Sequence, residues 1–219
     1  MDQRYLYAFV DRVPRGWRPP AAGVGGGAVR GEPVGPLVLV SSALASPPPR
    51  TARAEACHQE VLAGLLGARV LLPLPFGTAV ADAELPRWLE ARWPRIHAAT
   101  DELRGRVEMQ VRLLRLEHRL ERARPSADAT AVLRGLAEHL AERAGAAGWR
   151  FCPSGHGANV TASVAFLVAR EEVETFLARI APVAARAQGM AVVPTGPWPP
   201  CSFAPVLDAP AATPVAATA

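Results

Sequence analysis

The residues that could do chemistry are few and scattered. Ser154, His156 and Asp128 supply the three residue types of a hydrolase trio, but no nucleophile elbow surrounds the serine, and SGHG reads more simply as a loop. Cys57 and His58 are adjacent, which sets them about 100° apart on a helix and makes shared metal coordination awkward without a third ligand. Cys152 near His156 also lacks a third partner. Asn159-Val160-Thr161 fits a glycosylation acceptor pattern that carries no weight without a secretory signal. Gly25, Gly26 and Gly27 lack the strand–GxGxxG–helix context of a phosphate-cradling loop. No catalytic residue, metal ligand or cofactor is therefore assigned.

The elements that would position such groups are clearer. A chain of 219 residues, 50% hydrophobic and 20% charged, is long enough for one large or two small domains with a real core. No apolar run approaches the roughly 20 residues of a membrane span, and the start lacks a signal core, so the expectation is a cytoplasmic protein. The 3 cysteines form no CxxC pair and no even disulfide set, as suits a reducing compartment. All 24 basic residues are arginine, and they alternate with 20 acidic ones, giving a formal charge of +4. That describes mixed solvated faces, and with no aromatic-basic motif it does not point to nucleic acid.

In the first half, Tyr5, Tyr7 and Phe9 alternate with Leu6, Ala8 and Val10, a strand apolar on both faces and so central. Pro14 to Pro36 is expected to hold turns but no long regular element, and Leu37–Val40 a second strand. Ala54, Cys57, Val61, Leu62, Leu65 and Leu66 give Thr51–Leu66 one apolar helical face, with His58 bordering the core and Gly67 as the stop. Val70–Phe76 is a third extended segment, limited by Pro73 and Pro75. Leu85, Trp88, Leu89, Trp93 and Ile96 mark a helix that Pro94 should kink or split.

The second half reads β-α-β-β-α-β. In Gly105–Leu113, Val107, Met109, Val111 and Leu113 face one way, while Arg106, Glu108, Gln110 and Arg112 face solvent. Leu114–Arg124 suits a short helical turn, and Val132, Leu133, Leu136 and Leu140 form the face of a helix that Gly145 and Gly148 end. Strands at Trp149–Cys152 and Val160–Val168 precede a last helix with Val173, Phe176, Leu177, Ile180 and Val183 on one face and Pro182 as a bend. The fold class expected is α+β: an N-terminal α+β domain at 1–103 and a ferredoxin-like sheet with two helices on one face at 104–208. The other face of that sheet needs a cover, from the first half or from a partner. Residues 209–219 carry no charge and no periodicity, and are expected to be a disordered tail.

The densest local pattern is GMAVVPTGPWPPCSF at residues 189–203. Ala191, Val192 and Val193 make a short buried strand, and regular pairing is expected to stop at Pro194, since Pro197, Pro199 and Pro200 also fix φ and remove donors. Gly196 permits a backbone angle that other residues resist, while Trp198 and Phe203 pin the turn onto whatever lies beneath. The favoured reading is a packed corner with Trp198 buried; the sharper one is a preformed knob shown to another protein.

GPWPPCSF, with Gly196, Pro197, Trp198, Pro199, Pro200, Ser202 and Phe203, resembles the GPWPPYSF signature of the gas vesicle accessory proteins of the F/L family, Cys201 standing where tyrosine is usual. YLYAFV at Tyr5–Val10 resembles that family's YVYGIV, and LLPLPFGT at Leu71–Thr78 its VLPLRFGT, with Pro75 in place of arginine. AFLV at Ala165–Val168 is similar to the strand before its last helix. The resemblance runs from residue 5 to residue 203. It implies two α+β domains, the second a modified ferredoxin-like one, and a non-catalytic assembly factor, cytoplasmic and at the gas vesicle. Its implied partners are the very hydrophobic shell protein and other accessory proteins, with no nucleic acid and no membrane. The competing class is an enzyme or small-ligand module on a ferredoxin-like sheet.

Overall fold

In the computed structural model, residues 3–45, 50–115, 127–153, 160–187 and 189–207 are described. The expected tail at 209–219, the Leu114–Arg124 turn beyond Arg115, and Ser154, His156 and Asn159 lie outside them, as does the side chain of Asp128. The protein is α+β, with two antiparallel sheets and four α-helices among the described residues.

The first sheet has five strands: β1 (Gln3–Val10), β2 (Val29–Val34), β3 (Leu37–Leu44), β4 (Leu71–Pro73) and β5 (Ala79–Ala81). Its order is β2-β3-β1-β4, with β5 also on β1. β1 is central, as its two apolar faces require. Their parity changes, however, because a bulge lies between Leu6 and Ala8. Tyr5 and Tyr7 therefore share a face with Ala8 and Val10, while Leu6 shares the other with Phe9. β2 lies inside the proline- and glycine-rich stretch expected to have no regular element; it is an edge strand, where Pro33 is tolerated.

Helix α1 (Ala52–Gly64) starts where the Thr51 hydroxyl accepts from the Ala54 amide at 3.2 Å. It ends before Gly67, at Gly64, where Trp17 packs so closely that a Cβ would come within 2.7 Å of its Nε1. His58 is not at the border of the core but inside it, 1% exposed. The Tyr5 hydroxyl is hydrogen-bonded to its Nδ1 at 3.0 Å and accepts from the Gly77 amide, while Tyr7 stacks on the ring and Phe76 meets it edge-on. Burial holds His58 down at about 4, and a hydrogen bond with the Leu74 backbone only partly opposes this.

Helix α2 (Leu85–Glu102) is one helix with Pro94 inside it. In α4 (Val173–Arg186) the chain likewise runs past Pro182. Both prolines sit on exposed faces, where water can satisfy the carbonyl that each leaves without an amide partner and the helix can continue.

The second sheet comprises β6 (Arg106–Arg115), β7 (Gly148–Cys152), β8 (Val160–Ala169) and β9 (Met190–Trp198), in the order β7-β8-β6-β9. With α3 (Ala127–Ala144) after β6 and α4 after β8, this is the ferredoxin-like arrangement. Met109, Val111, Leu113, Val164 and Phe166 meet Leu133, Ala137, Leu140, Phe176 and Ile180 on the helix side. Val132 does not join them and is 72% exposed.

The first half supplies the cover for the opposite face. Leu6, Phe9, Leu39 and Leu72 share one buried cluster with Ile96 and Leu103 of α2, with Ala165 and Leu167 of β8, and with Phe203 and Leu207. Arg170 adds a polar tie between the halves, donating to the carbonyls of Leu66 at 2.5 Å and Ala68 at 3.3 Å.

Candidate partner-binding corner

The corner is built on the β6–β9 ladder. β9 does not stop at Pro194: Val111 pairs with Pro194, Gln110 with Thr195, and Glu108 with Trp198 across a bulge. β9 is the edge of the sheet, so prolines forfeit no hydrogen bond that an inner strand would need. Gly196 has φ +125, and a Cβ there would lie 2.9 Å from Met109 Sδ and 3.0 Å from Glu108 O. Only glycine fits this passage without displacement. The Gly196–Pro197 peptide bond is cis.

Beyond the strand the motif divides into a buried part and a presented part. Pro199, Pro200 and Phe203 are buried, and the Arg150 guanidinium lies 5.3 Å from the Phe203 ring centroid. Trp198 is 44% exposed, which corrects the expectation that it is packed beneath the turn. The reason lies in the ladder: pairing with Glu108 holds Trp198 on the outer edge strand, and Phe203 reaches the shared core instead.

Glu108 was expected to face solvent and is 1% exposed. Its carboxylate accepts from the Ser202 amide and the Ser202 hydroxyl, each at 2.8 Å, and from Gln110 Nε2 at 2.9 Å. A buried carboxylate is tolerable only with such donors. The network continues along β9: the Trp198 indole donates to Thr195 Oγ1 at 3.3 Å, and that hydroxyl donates to the Gln110 carbonyl at 3.4 Å. Both ends of the motif, Trp198 and Ser202, are thus anchored on β6. Strand alternation alone concealed Glu108; the usable signal was a serine and a buried aromatic needing a partner in the first half's shadow.

Cys201 keeps exposed surface, yet desolvation of its sulfur, followed by the Glu108 carboxylate, pushes its thiol up to about 12. A thiol so raised is a poor nucleophile at neutral pH. Among the described residues no group of three or more His, Cys, Asp or Glu side chains is placed to hold a metal ion, and no helix is long and apolar enough to cross a membrane.

The model of the family described as "Gas vesicle synthesis protein GvpL/GvpF" matches residues 3–150 and 115–205. The chain belongs to this family. Its fold is similar to the crystal structure of the gas vesicle protein GvpF from Anabaena sp. PCC7120, with a TM-score of 0.73 and 17% identity over 94% of this chain and 97% of that one. GvpF from Microcystis aeruginosa is similar at a TM-score of 0.71 and 15% identity, over 93% and 99%. Comparison with curated proteins finds no match. In this GvpL/GvpF family chain, Ser202 is held directly by Glu108 of β6, and Trp198 is held through Thr195, which bonds Gln110 of β6.

Proposed function

We propose that this protein is a non-catalytic assembly factor of gas vesicle formation, binding the hydrophobic shell protein and other accessory proteins in the cytoplasm and at the growing vesicle. The observation that carries the reading is the family match over residues 3–150 and 115–205. Half-exposed Trp198 on a corner fixed from two sides supports it, because a preorganised aromatic costs little entropy on binding. The working units in this reading are residues 1–103 and 104–208, with 209–219 outside both.

The test is co-expression with the shell protein, followed by fractionation at low and raised salt. Apolar association predicts a shell protein kept in the supernatant and a complex that survives high salt. A shell protein that precipitates equally with and without this chain would sink the reading.

A further inference from the structure

The ferredoxin-like sheet is only half covered on the face opposite its helices. At one end Glu108, Ala165 and Leu167 are buried against the shared core. Further along the same face, Arg112 is exposed, Val193 is 37% exposed, and Ser163 is half-buried. Arg112 pairs with Ser163 on one side and Val193 on the other, so the three stand in a row across β8, β6 and β9. Trp198 joins this face through its hydrogen bond to Thr195, which pairs with Gln110.

Two features choose the occupant. The first is charge: among the described residues Arg112 meets no ion-pair or hydrogen-bond partner, and Glu108, the acid of this face of β6, is buried and satisfied by Ser202 and Gln110. Arg150, on this face of β7, lies toward Phe203. The second is the edge: Pro194 and Pro197 remove amides from β9, so a partner strand cannot extend the sheet there by a continuous ladder. What remains is packing of side chains onto the face, as a helix packs on a sheet.

We infer that the open half of this face, bounded by Trp198 and Arg112, is a docking surface for an amphipathic helix of a partner protein whose apolar stripe is bordered by carboxylates. The apolar stripe lies on Val193 and Trp198, and a carboxylate pairs with Arg112 and fixes the direction of the helix. This deepens the assembly-factor reading and rests on it for the partner's origin.

The experiment uses the full chain and two synthetic helical peptides with the same leucine and valine stripe, one bordered by glutamates and the other by lysines, titrated by calorimetry. The glutamate peptide is expected to bind about tenfold or more tightly than the lysine peptide, and Arg112→Glu to reverse that order. Trp198→Ala weakens both by about tenfold with an unchanged melt. Arg112→Gln, which adds no repulsion, removes the discrimination without reversing it. Equal binding of the two peptides, no binding of either, or an unchanged preference in Arg112→Glu overturns the inference. Because the peptides are not the shell protein, failure of the co-expression test and failure of this one are read separately.

Discussion

The Glu108 carboxylate grips Ser202 at both its amide and its hydroxyl, each at 2.8 Å, across 94 residues of sequence. Removing the acid takes the partner from the part-buried Ser202 amide and from its hydroxyl together. Glu108→Ala is expected to cost about 3 kcal/mol, since hydrogen bonds to charged groups contribute about 1.5–3 kcal/mol each and unmade ones carry a desolvation cost. Ser202→Ala keeps the amide bond and should cost only about 1 kcal/mol. Thermal melts of the two variants check the order; equal losses would mean that the hydroxyl, not the amide, carries the grip.

The two aromatics of the corner should respond in opposite ways. Phe203 is 8% exposed and within the shared core, so Phe203→Ala is expected to lose about 3–5 kcal/mol. Trp198, at 44% exposure, should lose no more than about 1 kcal/mol on replacement by alanine while partner binding falls by about 2 kcal/mol. One melt and one pull-down per variant decide it. A Trp198→Ala chain that no longer folds would restore the buried-corner reading.

His58 makes stability depend on acidity. Its ring is held at about 4 in the folded protein against 6.5 in the unfolded chain. Between those values the unfolded chain takes up a proton that the folded one refuses. The stabilising contribution is therefore complete above about pH 6.5 and lost as pH falls toward 4, by up to about 3 kcal/mol. Denaturant midpoints measured from pH 7 to pH 4.5 should fall more steeply for the native chain than for His58→Leu. Parallel curves for the two would show that the acid sensitivity arises elsewhere.

Much of this was legible in the sequence, and the parts that were not share a cause. Double-sided apolarity correctly placed β1 at the centre of its sheet, but the bulge at Tyr7 moved Phe9 to the other face, and no residue type announces a bulge. Alternation placed β6 correctly, yet Glu108 is buried, held by the amide and hydroxyl of distant Ser202. Proline rules stopped β9 too early because they apply in full only to inner strands, and edge position is a property of the whole sheet. The motif itself was found from its composition; which of its aromatics faces inward was decided by a register that only the ladder with β6 supplies.

The buried cluster shared by the two halves has a consequence for how the protein is made. Leu6, on the first strand of the first sheet, ends in the same cluster as Leu207, beyond the last strand of the second. During translation the cluster that the first sheet forms with α2 therefore stays incomplete until the last strand and corner have left the ribosome, and contacts of such long sequence separation form late. Until then the nascent chain exposes part of the apolar surface that the finished protein buries between its halves.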